Sequence, residues 1–209
     1  MAVRLPGCSI SLHKILIVYF SRHGSVARMA EQISLGIDSN QACEALLRSL
    51  PAVSTTTEQS VETVPSEGVP YARISDLETC AGLVVGSPGY FGNMAAPLKY
   101  FFDQTSSLWL GGAMIGKPGG VFTATSSMHG GQETVLTSMM LPLLHHGMLV
   151  TGIPYSEPAI NQTKSGATPY GASHVAGQEG QALSEHERLA CRALGKRIAD
   201  LACKLVPLQ

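Results

Sequence analysis

Charge is scarce in this 209-residue chain, since only 14% of its residues are Asp, Glu, Lys or Arg. Soluble proteins carry about 25% charged residues on average. The 14 basic and 15 acidic residues leave a net charge of −1, and no basic run is present. Binding to nucleic-acid phosphates needs such a basic surface, so we expect no nucleic-acid partner. The sparse charge instead indicates a surface of small neutral residues, or surface hidden in an oligomer.

Paired cysteine motifs and long apolar runs are also missing. The five cysteines are scattered and form no Cys-x-x-Cys pattern, which predicts free buried thiols and neither a disulfide framework nor a metal site. The apolar run at residues 15–20 has only six residues, which is too short for a signal peptide or a membrane span. We therefore expect a soluble cytoplasmic protein with no membrane insertion.

Two common site motifs are absent as well. Residues 111–117 have the spacing of a phosphate-binding P-loop, but Pro118 stands where Ser or Thr would bind magnesium. Neither the Gly-x-Gly-x-x-Gly pattern of dinucleotide-binding folds nor the Gly-x-Ser-x-Gly pattern of α/β-hydrolases occurs. These classes are not indicated.

Apolar patterning predicts strands that alternate with helices. Continuous apolar runs predict five strands, at residues 14–20, 45–50, 82–86, 119–125 and 148–152. Helical spacing predicts helices at residues 26–37, 94–102 and 133–146, and a last one that Ser184 caps and that runs to about Leu205. We expect residues 1–13 to be a flexible leader, residues 14–209 to form a single domain, and residues 51–75 and 155–180 to be long loops.

This alternation predicts a doubly wound α/β fold, in which a five-stranded parallel sheet carries helices on both faces. Such sheets bind ligands beyond the carboxyl ends of their strands, where the strand order reverses. The loops at residues 21–26, 87–93 and 125–131 each follow a predicted strand. We therefore expect these three loops to meet and to form a binding site.

The three loops suit a phosphorylated aromatic ligand. Residues 21–26 precede a helix, whose first N–H groups can bind a phosphate, although Ser and Gly are equally favoured in a plain capping turn. The second loop combines glycines, which permit close approach of a ligand to the backbone, with Tyr90 and Phe91 as faces for a flat ring. The third loop is rich in hydroxyl and backbone donors.

Several motifs in order make the chain resemble the flavodoxin-like NAD(P)H:quinone oxidoreductases of the WrbA type, over nearly all of residues 14–205. The segments are YFSRHG at 19–24, GSPGYFGNM at 86–94, PLKYFFDQTSSLW at 97–109, GGQET at 130–134, residues 141–148, and TPYGASHVAG at 168–177. The resemblance implies a flavodoxin-like fold and an FMN cofactor. It implies two-electron reduction of quinones to hydroquinones by NADH or NADPH, through ping-pong hydride transfer, in a homotetramer built as a dimer of dimers.

The resemblance also implies which residues act. The implied FMN-binding residues are Ser21, Arg22, His23, Gly24, Ser25, Val26, Ser87, Pro88, Gly89, Tyr90, Phe91, Gly92, Thr125, Ser126, Ser127, Met128, Gly130, Gly131 and His146. As candidate catalytic residues, His146 would lie near the flavin, and Trp109 would line the ring pocket across a subunit interface. Without the resemblance, His146 is a histidine at a helix C-terminus and Trp109 a core residue.

The chain departs from the common family pattern in its second loop. Gly89 and Tyr90 stand where the family often has a hydroxyl residue and a cation. The lost cation is a candidate contact to the flavin edge or to the nicotinamide cofactor, so the sequence does not indicate whether NADH or NADPH is preferred.

Two other functions are compatible with parts of the sequence. A flavodoxin-like one-electron carrier would share the fold, but such carriers tend to be strongly acidic, whereas this chain is almost neutral. A non-enzymatic regulator that binds a repressor or DNA is the other alternative, and the lack of a basic patch argues against contact with DNA.

Overall fold

The structure is a computed structural model that describes residues 11–54, 65 and 67–207. Its strands are β1 (His13–Tyr19), β2 (Cys43–Ser49), β3 (Gly82–Tyr90), β4 (Asn93–Met94), β5 (Pro118–Thr125), β6 (Leu149–Val150) and β7 (Ala172–Val175). Its helices are α1 (Ser25–Asp38), α2 (Ile74–Thr79), α3 (Ala96–Asp103), α4 (Ser106–Leu110), α5 (Gln132–His145), α6 (Pro158–Gln162) and α7 (Glu185–Leu205).

The main sheet is parallel and has the strand order β2-β1-β3-β5-β6. The fifth position is shared by two short strands, because β6 pairs with Pro118 and Gly119 of β5 while β7 pairs with its second half. The short strand β4 folds back antiparallel onto the end of β3. The predicted doubly wound α/β sheet is confirmed, and each of the five predicted strands coincides with a strand of this order.

The central strand β1 supplies two cores, one on each face of the sheet. Ile15 and Ile17 pack into the cluster under α1 and α7, whereas Leu16 and Val18 pack into the cluster under α3 and α5. All four side chains are completely buried. A strand that is buried on both faces reads as a continuous apolar run, which is why the sequence pattern located β1.

Helices α1 and α7 cross at unusually short range through two glycines. A Cβ on Gly36 would lie 2.1 Å from the carbonyl oxygen of Arg192, and a Cβ on Gly195 would lie 2.1 Å from that of Ile33. Any larger residue at either position would force the two helices apart. This close packing sets the position of α1, whose N-terminus borders the site described below.

The segments that the sequence pattern missed are short. Helices α2, α4 and α6 have six, five and five residues, which is too few for a helical period to show. The loop expected at residues 155–180 is wrong in part, because it contains α6 and β7. Two of the four residues of β7, Ser173 and His174, are polar but fully buried, and hydrogen bonds satisfy their side chains. A search for apolar runs therefore does not find this strand.

The expected N-terminal leader and the first expected long loop lie partly outside the described residues. Residues 1–10 of the expected leader are not described, and His13 at its other end already belongs to β1. Residues 55–64 and 66 of the expected first long loop are likewise outside, and α2 begins near its end. The division into a leader and a single domain stays a prediction.

The buried carboxylate of Glu187 ties the region around β7 to the start of α7. It accepts hydrogen bonds from the backbone N–H groups of Gly166 (2.9 Å), Val175 (3.0 Å) and Ser184 (2.7 Å), and it lies 2.9 Å from Nδ1 of His174. The Ser184 hydroxyl accepts in return from the Glu187 N–H, so the predicted capping box is present. Burial raises the pKa of Glu187, but the hydrogen bonds from His174, Val175 and Ser184 outweigh it and lower that pKa to about 2.

The substitution Glu187→Gln is expected to lower the free energy of unfolding at pH 7 by about 3–5 kcal/mol, because it removes one partner of a buried ion pair. The depressed pKa means that the carboxylate stabilises the fold above about pH 4.5 and that this contribution is lost as the pH falls toward 2. Urea denaturation at a series of pH values measures both effects.

The matched control is Glu185→Gln, two residues away in the first turn of α7, whose side chain is 63% exposed and pairs with Arg188. We expect it to change the urea midpoint little, because exposed ion pairs contribute little. Equal destabilisation by the two substitutions would contradict the role assigned to Glu187.

Candidate functional site

A cleft of about 220 Å³ opens at the carboxyl ends of β1, β3 and β5, where the strand order reverses. The three loops expected to meet do so there, and a fourth segment at residues 176–180 completes the wall. The lining residues are Ser21, Arg22, His23, Ser25, Val26, Pro88, Gly89, Tyr90, Ala124, Thr125, Ser126, Ala176, Gly177, Gln178 and Gly180.

The turn between β1 and α1 presents backbone N–H groups at the start of a helix. Gly24 precedes α1 with a φ of 84°, which favours glycine and turns the chain into the helix. The Ser21 hydroxyl accepts from the Ala27 N–H at 3.3 Å. Within the described part of the chain, the N–H groups of Ser25 and Val26 have no protein acceptor, and the first turn of α1 has no acidic residue. Free N–H groups at a helix N-terminus are suited to binding a phosphate.

A second cation stands beside this turn, and the sequence did not indicate it. Nη2 of Arg28, in the first turn of α1, donates to the Ser25 hydroxyl at 3.1 Å. It also donates to the carbonyl oxygens of Gly180 and Gln181, both at 3.3 Å. Because Gly180 and Gln181 lie 152 and 153 residues further along the chain, no local sequence signal identifies this role of Arg28.

The second loop brings Pro88, Gly89 and Tyr90 to the cleft. A Cβ on Gly89 would lie 3.0 Å from the side chains of Thr125 and Val135, so glycine lets the second and third loops pack closely here. Tyr90 is partly exposed, and its hydroxyl accepts a long hydrogen bond of 3.5 Å from Nη1 of Arg22. Tyr90 and Arg22 thus lie together at the cleft.

The remaining residues of the second loop lie behind or outside the cleft. Ser87 is completely buried, and its hydroxyl accepts from the Ala95 N–H at 2.7 Å, so it orders the turn. Phe91 is fully exposed to solvent, with a φ of 51°, and it does not line the cleft. Gly92, which follows with a φ of 74°, does not line it either.

The third loop contributes Thr125 and Ser126 directly. Thr125 donates to the Ser127 carbonyl at 2.8 Å and accepts from Gln132 at 3.1 Å, which holds the loop against α5. The other predicted residues shape the loop or face solvent, and none of them lines the cleft: Ser127, Met128, Gly130 and Gly131. Gly131 caps α5 with a φ of 79°.

The two predicted catalytic residues lie in a different pocket of the same chain. This second pocket, of about 430 Å³, is lined by Lys99, Phe102, Asp103, Thr105, Ser106, Trp109, Pro142, His145 and His146. Trp109 is 51% exposed, and its Nε1 donates to the His145 carbonyl at 2.7 Å. The linings of the two pockets share no residue, so a single chain does not bring Trp109 and His146 to the cleft.

The hydrogen bonds of His146 determine its tautomer. The Thr105 hydroxyl donates to the Phe102 carbonyl at 2.7 Å, so Nε2 of His146, 2.8 Å from the same hydroxyl oxygen, must be the donor of their bond. Nδ1 then carries a lone pair and is buried with no partner among the described residues. Burial, and to a smaller extent His145, lowers the pKa of His146, so the imidazole is neutral at pH 7.

No cluster of three or more His, Cys, Asp or Glu side chains in the described ranges is arranged to hold a metal ion. None of the described helices combines the length and apolarity that crossing a membrane requires.

Comparison with known proteins gives consistent matches. The family model described as NADPH-dependent FMN reductase matches residues 21–161. A protein of Solidesulfovibrio magneticus named NAD(P)H dehydrogenase (quinone) is 39% identical over 202 residues, which cover 91% of this chain and 98% of the relative. A protein of the same name from Chromohalobacter salexigens is 40% identical over 200 residues, which cover 93% of this chain and 99% of the relative.

Solved structures show the same fold. A flavodoxin, WrbA-like protein from Agrobacterium tumefaciens superposes with a TM-score of 0.64 at 21% identity, covering 92% of this chain and 99% of the other. A flavodoxin from the domain Archaea superposes with a TM-score of 0.59 at 20% identity, covering 91% and 99%. The flavodoxin-like fold expected from the sequence is thereby confirmed.

The tautomer of His146 predicts different effects for two substitutions of its partner. Thr105→Val removes the acceptor of the Nε2–H group, and leaving this buried donor unsatisfied is expected to cost about 1–3 kcal/mol of the free energy of unfolding. Thr105→Ser keeps the hydroxyl and should lose much less. Urea denaturation compares the two variants, and equal midpoints would show that the hydrogen bond does not hold His146.

Proposed function

Because this chain belongs to the NADPH-dependent FMN reductase family, we propose that it is an FMN-dependent NAD(P)H:quinone oxidoreductase. It reduces quinones to hydroquinones with two electrons from NADH or NADPH. The observation that carries the proposal is the cleft, in which an anion-binding turn and two glycine-bearing loops converge at the reversal of strand order. The names of the relatives, NAD(P)H dehydrogenase (quinone), support the same activity.

The residues of the cleft are suited to FMN. The free N–H groups of Ser25 and Val26 would hold the phosphate, with positive charge from Arg22 and Arg28 nearby. Gly89 lets the second loop pack against Thr125, which brings the second and third loops together at the cleft that the flat ring would enter. When bound, FMN would supply the two-electron redox chemistry that links oxidation of the nicotinamide to reduction of the quinone.

The other predicted cofactor contacts remain part of this proposal. Gly24, Ser87, Gly130 and Gly131 would act by shaping the loops that surround FMN. Phe91, Gly92, Ser127 and Met128 border the cleft loops without lining the cleft, so we propose that they contact FMN or substrate only once the site is complete. His146 belongs to the second pocket and needs a further element to reach FMN.

That element is a second copy of the chain. We propose a homotetramer, a dimer of dimers, in which the second pocket of one copy faces the cleft of another, so that Trp109 and His146 border the quinone. Apolar side chains exposed around the second pocket support it, and such patches mark interfaces. They are Trp109 (51%), Leu110 (78%), Ile115 (69%), Leu141 (59%) and Leu144 (55%).

His146 is suited to orienting a substrate. Since its imidazole is neutral at pH 7 and Nε2 is committed to Thr105, it has no spare proton to give. Trp109, which is fixed by its bond to the His145 carbonyl, would shape the substrate space with its exposed ring. Both residues would therefore limit which quinones enter and how they lie.

We also propose a cytoplasmic location. The described cysteines, Cys43, Cys80, Cys191 and Cys203, are all free thiols, as is usual in a reducing compartment. The chain has no basic run, which supports the absence of a nucleic-acid partner.

The activity is tested with the purified full chain. We expect a yellow protein whose absorbance spectrum is that of FMN and which oxidises NADH or NADPH in the presence of benzoquinone, with parallel double-reciprocal plots. Bound FMN without NAD(P)H oxidation would favour the one-electron carrier. Failure to take up FMN would favour the non-enzymatic regulator, and intersecting plots would contradict a single shared site.

The assembly is tested by light scattering at saturating FMN. We expect four copies of the 22.0 kDa chain, and we expect Leu110→Glu and Ile115→Glu each to lower the measured mass, because a charge there would be buried in the interface. The matched control is Leu35→Glu, at a site on α1 that is exposed to a similar degree (52%) but lies away from the second pocket. A monomeric wild-type protein would contradict the tetramer.

A further inference from the structure

The cleft wall at residues 176–181 is held in place by charged side chains from other elements. Two of these side chains contact the Gln181 carbonyl, which accepts from Nη2 of Arg28 at 3.3 Å and lies 3.1 Å from Nε2 of His174. Within the wall, the Gln181 N–H donates to the Ala176 carbonyl at 2.6 Å, and Ala176 in turn donates to Thr125 of the third loop at 2.7 Å. The wall is therefore fixed at both of its ends.

The charge that holds the wall from beneath comes from a buried ion pair. Both ring nitrogens of His174 face acceptors, the Gln181 carbonyl on one side and the Glu187 carboxylate on the other. A carbonyl oxygen and an ionised carboxylate can only accept hydrogen bonds, so the imidazole ring is placed to act as the donor between them. The side chains of His174 and Glu187 are 0% and 1% exposed, and the Gln181 carbonyl that His174 contacts also accepts from Arg28.

Arg28 is held by this wall with most of its donors unused. A guanidinium has five N–H donors, and the bonds to Ser25, Gly180 and Gln181 all come from Nη2. Nε is buried with no partner among the described residues, and Nη1 makes no hydrogen bond to them. No described carboxylate lies within ion-pair distance of Arg28. It is a cation whose charge no side chain of the described protein neutralises.

The location of this cation is specific. Nη1 lies 3.4 Å from the position that a Cβ on Gly24 would occupy, so the guanidinium contacts the anion-binding turn itself. Arg22 differs, since its side chain is exposed and turned toward Tyr90. Of the two arginines, only Arg28 is fixed by carbonyl oxygens against the turn.

We propose that Arg28, held by the wall at residues 176–181, is the residue that makes the cleft select a phosphorylated flavin over the unphosphorylated ring system. The inference rests on the proposed function and deepens it. A fork of donors fixed beside the free N–H groups of Ser25 and Val26 gives the phosphate two kinds of partner, a helix N-terminus and an arginine. The Gly180 and Gln181 carbonyls act as the positioning groups, because they prevent the guanidinium from swinging out to solvent.

The test compares binding of FMN and riboflavin by the full chain prepared without flavin, measured by quenching of flavin fluorescence. Arg28→Gln keeps an amide donor for the wall carbonyls but removes the charge. We expect it to raise the Kd of FMN about 10- to 100-fold and to change the Kd of riboflavin by less than about 3-fold. Arg28→Lys, which keeps the charge but not the fork, should retain part of the preference for FMN.

The matched control is Arg192→Gln on α7, whose side chain bonds to Gln32 away from the cleft and which should leave both Kd values unchanged. Equal weakening of FMN and riboflavin by Arg28→Gln would mean that Arg28 is only structural and would overturn the inference. The same conclusion would follow if Arg28→Lys and Arg28→Gln were indistinguishable. Failure of the wild-type chain to bind either flavin would contradict the proposed function as well.

Discussion

The pairing of β1 with β3 at the centre of a parallel sheet is the constraint on which the site depends. Strands buried on both faces must have helices above and below, and each helix must start near the carboxyl end of the strand before it. Because the chain leaves β1 toward one edge and β3 toward the other, the loops after β1, β3 and β5 are left facing one another. The cleft is a consequence of this topology, and the loop residues determine what enters it.

The cleft also depends on a less regular part of the chain. The fifth sheet position is divided between β6 and β7, and the segment after β7 supplies the fourth wall. Strand β7 has only four residues, so hydrogen bonds to Glu187 and His174 hold this region in place. The energetic cost of burying two charges is offset by hydrogen bonds that occupy nearly every lone pair of the carboxylate. The start of α7, the wall and the turn before α1 are thus connected through the buried Glu187–His174 pair and the hydrogen bonds of Arg28.

Much of this arrangement could be predicted from the sequence because it is recorded in local patterns. The apolar runs predicted β1 and β5, and the capping box of Ser184 and Glu187 predicted the start of α7. The loops at residues 21–26 and 125–131 could be brought together by topology alone. The role of Arg28 could not be predicted, because its partners Gly180 and Gln181 are about 150 residues away in the chain. The same holds for β7, whose burial rests on long-range hydrogen bonds.

Trp109 and His146 lie in a pocket that shares no lining residue with the cleft. The roles that the family resemblance implies for these two residues require them to lie near FMN. Within a single chain, however, they line another pocket. An exposed tryptophan and several exposed aliphatic side chains around that pocket are understandable if a second copy covers them. The sparse charge of the chain is consistent with such covered surface, because interface cores are depleted in charged residues.

The central claim is that the cleft beyond β1, β3 and β5 binds FMN with its phosphate at the turn before α1. Hydrogen exchange followed by mass spectrometry, with and without FMN, tests it most directly. We expect FMN to slow exchange in peptides that cover residues 21–28 and 176–181, and we expect riboflavin to protect residues 21–28 much less than FMN does. Protection by FMN confined to other parts of the chain, with residues 21–28 unchanged, would contradict the account.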